Sequence, residues 1–591
     1  MRSVTSVSCC LCCSASLSSP ASCHFRSSLC HLFRVSCRSL LPHCPAMPRS
    51  PIAMDDMTGE QLALPTSSRV RAYTRHGPVV GGRVRNGVQV FLNVPYALPV
   101  PRWTPPAPLP ESYRYPDKEY TSDGLYCAQP SRAYTAHIPA RQRLGLGKPT
   151  EDPFFADIYT PSDVAFEDAG SPASGGQRRP KGGLRPVRVF VHGGFLQFGS
   201  TSGATYNQQF FAAEHFGEVR VLLGHRISAL GFLAAPELQG NWGFMDVWAG
   251  LEWVQANISA FGGDPAQVHL SGLSGGAHIV HQLLHRAARG GRAPFVTATL
   301  QSNAILTDPL SRHERAAQFA HLCAALGVDS ADETRAVDAL RDRARFPSAA
   351  LIAAVEGMGV NSTFRGVADA LHGRDQMAFQ ASGALARGLA AAGVRAVVLG
   401  DVRDEAFFYA QCHPCATPAD LLPNVARYYP LPTAAALLAA YPSLDDTSEA
   451  ACQARLGRVL ADGQVHLPVR LLARDLAAAG LPVVRYTIEM VVAALSTGGN
   501  VTHGSDMPIQ HLRLSAMSED EARLALEWHA AVRAAVQPAL NGDGSGFVQH
   551  PEDQVLAMDE AGTSWRHDWR WETLRAVEAV VRPPPRTLAH M

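Results

Sequence analysis

The run from Phe261 to Ala277, FGGDPAQVHLSGLSGGA, constrains this 591-residue chain more than any other segment. It contains a Gly-x-Ser-x-Gly sequence centred on Ser274, which directly follows the short apolar segment Val268–Leu270. A helix-like apolar stretch, Ala277–Leu284, begins at once. A strand, a tight turn and a helix form the context of a nucleophile elbow, where a strained turn pushes a serine hydroxyl clear of the sheet. Because flanking glycines let the strand and the helix approach without Cβ clashes, the run predicts Ser274 as a nucleophile.

A second segment predicts the group that would stabilise negative charge near this serine. In the segment Val187–Phe195, an apolar β-type run leads into His192-Gly193-Gly194. This sequence is typical of the oxyanion loop of lipases and esterases. Backbone N–H groups stabilise a tetrahedral oxyanion best when they are held fixed, and glycines allow close approach. We assign the donors to the N–H groups of Gly194, Phe195 and Gly275. The alternative is an ordinary glycine turn after a strand.

A third segment offers an acid. The buried-strand pattern that begins at Val394 ends in an acidic cluster of Asp401, Asp404 and Glu405. An acid just beyond a strand end can accept a hydrogen bond from a catalytic histidine. The alternative is a solvated loop, and the spacing alone does not choose among the three acids.

A fourth segment offers the base. His503 lies in a glycine-containing loop, Asn500–Pro508, after the strand-like run Val483–Glu489. The chain has 23 histidines, so a single histidine carries little weight by itself. The order serine, acid, histidine along the chain is the order found in α/β-hydrolases, and it favours His503 as the base.

Other segments, in the same order along the chain, resemble the type-B carboxylesterases, the group that includes the cholinesterases and their esterase/lipase relatives. The resemblance covers most of the chain, from about Gly77 to Trp571. Phe261–Pro265 is identical to the family run that precedes the elbow. The further matching segments are Val94–Ala97, Arg102–Pro105, His225–Leu233 and Gly240–Asp246.

The resemblance implies an α/β-hydrolase fold, with a large, mostly parallel central sheet flanked by helices and carrying helical cap insertions. It implies a serine carboxylic-ester hydrolase that acts on small-molecule esters through an acyl-enzyme, without metal or cofactor. The family's acid falls on Glu405 and its histidine on His503. The pairs Arg102 with Glu151 and Arg226 with Asp246 match structural ion pairs of the family. Glu151 and Asp246 are therefore excluded as catalytic acids.

Three positions depart from the family pattern. Leu273 replaces a glutamate, Gly275 replaces an alanine, and Phe195 stands where many relatives have a third glycine. We expect altered surroundings of the serine rather than an inactive enzyme, and we expect the Phe195 ring to fill part of the acyl pocket and favour small acyl groups. Two alternatives remain at this stage: a catalytically weak or inactive hydrolase-fold binding protein, and an acyltransferase that uses the same triad.

The sequence predicts three parts: an N-terminal segment (1–54), a carboxylesterase-type domain (55–581) and a disordered tail (582–591). The first part carries eight of the 13 cysteines, and the first acidic residue is Asp55. It resembles a transit peptide, a weak secretory signal, or upstream sequence translated in error, with a start at Met47 or Met54; we favour the last. The proline-rich tail is read as a frayed end rather than a polyproline ligand.

Composition narrows the function classes. The chain has 52 basic and 52 acidic residues, so no basic excess predicts nucleic-acid binding. No apolar run approaches 18 residues, so no transmembrane helix is expected.

The five cysteines beyond the N-terminal segment form an odd, sparse set that predicts reduced thiols. We therefore favour a cytoplasmic location, with organellar or secreted locations as alternatives; the oligomeric state stays open.

Overall fold

The computed structural model describes residues 68–122, 124–130, 147–168, 180–203, 209–495, 498–541 and 546–582. The predicted N-terminal segment, and all of the predicted tail except Arg582, lie outside these residues.

Strands of this part of the chain build one large sheet and two small ones. The strands are β1 (Arg69–Thr74), β2 (Gly77–Arg83), β3 (Gln89–Pro95), β4 (Ala97–Leu98), β5 (Ala107–Pro108), β6 (Leu125–Cys127), β7 (Lys148–Thr150), β8 (Phe155–Thr160), β9 (Glu167–Asp168), β10 (Arg185–Val191), β11 (Val219–Leu223), β12 (Gly263–Leu273), β13 (Thr297–Gln301), β14 (Ala396–Val402), β15 (Val483–Ile488), β16 (Gln554–Asp559) and β17 (Gly562–His567).

The large sheet has 13 strands in the order β17-β16-β15-β14-β13-β12-β10-β11-β8-β3-β2-β1-β9. The strands from β16 to β11 in this order run parallel, and antiparallel strands extend the sheet at both ends. All seven residues of β14 are buried, as is typical of a parallel strand covered on both faces. Parallel strands end at the same edge, so the loops that follow β10, β12 and β14 meet there.

Helices join these strands. They are α1 (Phe210–Phe216), α2 (Ser228–Phe232), α3 (Trp242–Asn257), α4 (Gly275–Gly290), α5 (Ala316–Ala325), α6 (Glu333–Arg341), α7 (Ser348–Gly357), α8 (Gln376–Ala381), α9 (Ala384–Ala391), α10 (Glu405–Tyr409), α11 (Leu421–Val425), α12 (Leu431–Ala439), α13 (Glu449–Ala461), α14 (Leu467–Ala478), α15 (Met507–Gln510), α16 (Glu519–Leu540) and α17 (Arg570–Val581).

Apolar residues pack on both faces of the sheet. On one face, α4 places Ile279 and Leu283 in the same cluster as Leu270 of β12. On the other face, α16 places Leu524 and Trp528 against strands β14 and β15. Helix α16 begins at a capping box formed by Ser518 and Glu521, in which each side chain satisfies a backbone N–H group at the helix start.

The expected fold is confirmed in its main features: the sheet is large, its central block is parallel, and helices cover it. Helices α5 to α9 lie between β13 and β14, and helices α10 to α14 lie between β14 and β15. Among the helices of the described ranges, none combines the length and the apolar character that a membrane crossing needs.

Candidate active site

Ser274 lies at a sharp turn between β12 and α4. Its backbone has φ 57° and ψ −120°, a conformation that costs free energy for any residue except glycine. Its N–H group donates to the Gln301 carbonyl at 2.8 Å, and its carbonyl accepts from the His278 N–H group at 2.9 Å. The turn is therefore fixed both to the neighbouring strand and to the first turn of α4.

Two glycines make this turn possible. A Cβ atom on Gly276 would lie 2.1 Å from the Val191 carbonyl oxygen of β10. A Cβ atom on Gly272 would lie 2.6 Å from the Gly276 carbonyl carbon. Helix α4 thus lies so close to the sheet that no side chain fits at either glycine position. This close approach is the physical reason for the glycines on both sides of Ser274.

Glu405 and His503, which are 98 residues apart in the sequence, meet in the structure. Glu405 begins α10 at the end of β14, and its Oε2 atom lies 2.5 Å from Nδ1 of His503. The carboxylate is fully buried and the imidazole is 5% exposed. We assign the Nδ1 proton to this contact, because an ionised carboxylate can only accept.

The second ring nitrogen of His503 makes no hydrogen bond to the Ser274 hydroxyl in this structure. Nε2 is buried and has no hydrogen-bond partner among the described residues. The next residue, Gly504, adjoins the elbow: a Cβ atom there would lie 3.6 Å from Cδ2 of Leu273. The histidine loop and the serine turn are therefore neighbours at the same edge of the sheet.

The other two acids of the cluster have different partners. Asp401 accepts from Arg470 at 2.7 Å and contacts His466 at 3.0 Å. Although burial opposes ionisation, the charge of Arg470 and the hydrogen bond with His466 hold the pKa of Asp401 well below its usual range. Asp404 accepts from the Val501 N–H group at 2.9 Å. Of the three acids, the structure brings only Glu405 to His503.

The predicted oxyanion loop lies against the elbow. Three successive residues have positive φ: Gly194 (115°), Phe195 (55°) and Leu196 (68°). A Cβ atom on Gly275 would lie 2.8 Å from the Leu196 backbone nitrogen and 3.1 Å from that of Phe195. The structure thus brings Phe195 and Gly275 side by side, with Gly194 at the start of the same turn. The sequence motif ends before Leu196, so sequence reasoning gave no reason to include it.

The Phe195 ring belongs to an aromatic cluster beside the imidazole. It stacks on Phe408 at 5.8 Å between centroids and meets Tyr409 edge-on at 5.9 Å. Phe408 and Tyr409 also contact the His503 ring, at 4.8 Å and 5.4 Å. Sequence reasoning missed both residues, although a helix that begins at Glu405 places positions three and four residues later on the same side as the acid.

Leu273, the first departure at the elbow, is buried in an apolar cluster. It is 2% exposed and packs in the same group as Phe190, Leu222 and Met507. An apolar side chain suits these surroundings. A carboxylate buried there would lose its water, and the apolar neighbours could not offer hydrogen bonds in place of that water.

The two predicted structural ion pairs are confirmed. Arg102 donates to both carboxylate oxygens of Glu151, at 2.7 and 2.5 Å. Arg226 does the same with Asp246, at 2.8 and 2.6 Å. The described cysteines are all buried free thiols: Cys127, Cys323, Cys412, Cys415 and Cys452.

Comparisons with known proteins find carboxylesterases and related esterases. Residues 68–368 match the family described as "Carboxylesterase family". The chain is 28% identical over 433 residues to an uncharacterized esterase/lipase of Schizosaccharomyces pombe, a match that covers 67% of this chain and 74% of that protein. It is 35% identical over 227 residues to liver carboxylesterase 1 of Oryctolagus cuniculus, covering 36% of each chain. It is 31% identical over 262 residues to para-nitrobenzyl esterase of Bacillus subtilis, covering 43% of this chain and 48% of that protein.

A parallel sheet covered by helices, with a serine on a strained turn between strand and helix, defines an α/β-hydrolase. The chain belongs to the carboxylesterase family, whose members are ester-hydrolysing enzymes. The matched part spans less than half the length of the rabbit and Bacillus proteins.

Proposed function

We propose that this chain is a serine carboxylic-ester hydrolase that works through an acyl-enzyme on Ser274, with His503 as base and Glu405 as the acid that orients it. The observation that carries the proposal is the 2.5 Å contact between Glu405 and Nδ1 of His503, which leaves a buried Nε2 without a partner beside the elbow. The Glu405 contact orients the imidazole as a general base requires, and the proposal needs the Ser274 hydroxyl to come within hydrogen-bond reach of Nε2 when the substrate is bound.

The proposed reaction has two halves. In the first, Oγ of Ser274 attacks the ester carbonyl while Nε2 of His503 takes the hydroxyl proton. Glu405 keeps the proton on Nδ1 and stabilises the imidazolium that forms. The N–H groups of Gly194, Phe195 and Gly275 donate to the tetrahedral oxyanion.

The intermediate then collapses, and the C–O bond to the alcohol breaks. His503 gives its proton to the leaving alcohol, and Ser274 is left as an acyl ester. In the second half, His503 takes a proton from a water molecule that attacks this acyl ester, which releases the carboxylic acid and restores the Ser274 hydroxyl. These steps need no group beyond the chain and water.

The test is labelling of the purified full-length chain with a fluorophosphonate probe, followed by kinetics on p-nitrophenyl esters of increasing acyl length. We expect the parent chain to be labelled and to hydrolyse these esters. In Ser274→Ala, labelling should disappear and kcat should fall about a thousandfold or more, because the triad acts as a unit.

Ser271→Ala is the matched control. Ser271 is also a buried serine, three residues earlier on β12, and its hydroxyl donates to the Val189 carbonyl at 3.0 Å. We expect this variant to keep its labelling. Absence of labelling and hydrolysis in a folded parent chain would overturn the proposal and favour a binding protein. Faster turnover with an added alcohol acceptor than with water would favour an acyltransferase.

A further inference from the structure

A cationic cavity lies about one helical turn from Ser274. His278, four residues further along α4, lines the cavity. Its N–H group donates to the Ser274 carbonyl at 2.9 Å, so this residue of the cavity wall is in the first turn of the helix that follows the nucleophile. The cavity has a volume of about 40 Å³. This is room for roughly three water molecules, or for one carboxylate group.

Arg315 brings an unneutralised positive charge to this cavity. Among the described residues it has no ion-pair partner, and its Nε atom is buried without a hydrogen-bond partner. The exposed Glu314, which accepts at 2.7 Å from both the N–H group and the hydroxyl of Ser311, compensates this charge less than burial and Arg365 oppose it. Burial and the nearby charge of Arg365 lower the pKa of Arg315 to about 10.

Arg365 is a second guanidinium in the cavity wall, and two contacts fix its position. It donates to Nδ1 of His278 at 3.2 Å and lies over the Tyr428 ring, 5.3 Å from its centroid. The Tyr428 ring in turn lies 5.9 Å from the Phe195 ring. Arg365 is therefore anchored to the nucleophile helix on one side and to the aromatic cluster beside the oxyanion loop on the other.

The remaining charges of the cavity wall do not cancel these two. Arg427 is a third guanidinium, fixed by Asn424 at 2.9 Å. Asp308 is the one acid among the described lining residues, and its Oδ1 accepts from the Met377 N–H group at 2.8 Å, at the start of α8. The described lining residues thus carry three guanidinium groups and one carboxylate. An anion in the cavity would relieve the mutual repulsion of the arginines.

We propose that this cavity is a substrate subsite that binds a free carboxylate, and that the preferred substrates are esters which carry one. The inference rests on the proposed function, since Ser274 must attack the ester while the carboxylate occupies the cavity. Guanidinium groups suit this role because they donate two parallel hydrogen bonds to a carboxylate and stay charged at all physiological pH values.

The test compares charged and neutral esters of matched length. One series consists of p-nitrophenyl hemi-esters of succinate, glutarate and adipate, with neutral p-nitrophenyl alkanoates as partners. A second series places the carboxylate on the alcohol side, in butyryl esters of short hydroxy acids and of the corresponding alkanols. We expect kcat/KM for the best charged ester to exceed that of its neutral partner at least tenfold, and the length at the maximum reports the distance to the cavity.

Variants then assign the preference to the cavity. Arg315→Met should lower the ratio of charged to neutral kcat/KM at least tenfold, and Arg315→Lys should restore part of it. Arg312→Met, three residues earlier in the chain and outside the cavity wall, should leave the ratio unchanged. Fluorophosphonate titration of each variant counts its active sites, so a misfolded variant is not mistaken for a loss of selectivity.

The outcomes separate the two proposals. Hydrolysis of neutral esters with no preference for charged ones in either series, or a preference that survives Arg315→Met, overturns the carboxylate subsite and leaves the esterase intact. Absence of both hydrolysis and labelling in the parent chain overturns the proposed function, and the subsite with it.

Discussion

The imidazole of His503 is stacked on the ring of Phe408, with 4.8 Å between the centroids and 18° between the planes. Phe408 lies on α10, three residues after Glu405, whose carboxylate contacts the same imidazole. One short helix therefore fixes His503 twice: the carboxylate sets the orientation of Nδ1, and the ring supports the plane of the imidazole.

Phe408→Leu tests this second contact. Aromatic pairs contribute about 0.5–1.5 kcal/mol beyond the area that they bury, so we expect kcat to fall about three- to tenfold on p-nitrophenyl butyrate. Phe407→Leu is the control, because Phe407 is on the same helix and has no ring contact with His503. Equal losses in both variants would show that the helix matters and the stack does not.

Gly275→Ala tests the spacing between the elbow and the oxyanion loop. The new Cβ atom would lie 2.8 Å from the Leu196 nitrogen, and a backbone atom cannot yield as the end of a flexible side chain can. We expect the loop to shift and kcat to fall about ten- to hundredfold with KM nearly unchanged, since an oxyanion donor acts mainly in the transition state.

Gly290→Ala is the matched control for that variant. Gly290 is at the other end of α4, and a Cβ atom there would have no neighbour within 4 Å. This variant should keep the parent kcat. Full activity in Gly275→Ala would show instead that the alanine common in the family fits this loop without displacement.

Glu151→Gln tests the buried ion pair with Arg102. The two side chains are 8% and 1% exposed, so the variant leaves a buried guanidinium without its carboxylate. We expect the free energy of unfolding to fall by about 3–5 kcal/mol, measured by urea denaturation. Asp338→Asn, which breaks an exposed pair with Arg341, should change it by less than about 0.5 kcal/mol. Similar changes in both variants would contradict a special contribution of the buried pair.

Asp506 gives a pH-dependent prediction. Burial, and to a smaller extent the charge of Glu405, raises the pKa of Asp506 to about 6. An unfolded aspartate titrates near pH 4, so between about pH 4 and pH 6 the folded chain holds the proton more tightly, and stability falls as the pH rises through this window. Above it, the ionised carboxylate costs about 3 kcal/mol.

Asp506→Asn removes this titration. The difference in free energy of unfolding, variant minus parent, should therefore increase by up to about 3 kcal/mol between pH 4 and pH 6 and then stay constant. Urea denaturation at pH 4, 5, 6 and 7 measures it. A difference that does not change with pH would mean that Asp506 stays ionised throughout.

Much of the site could be predicted from sequence because its geometry is local. Gly272, Ser274 and Gly276 make their turn within five residues, and the close contact of Gly276 with Val191 allows no side chain. The same holds for Gly194, where a Cβ atom would lie 1.9 Å from the Phe198 carbonyl oxygen. Backbone contacts this short allow only glycine, so the sequence itself marks these positions.

The sequence by itself therefore determined the strand, turn and helix around Ser274 and the order of serine, acid and histidine. Spacing left three acids open, and the resemblance pointed to Glu405, which the tertiary structure brings to His503. Only the tertiary structure decided that Phe408 stacks on His503 and that Arg315 lines a cavity without a carboxylate partner among the described residues. The physical reason is distance along the chain. Local turns are limited by backbone sterics that a few residues specify, whereas contacts between residues 98 positions apart depend on how the strands of the whole sheet are ordered and packed.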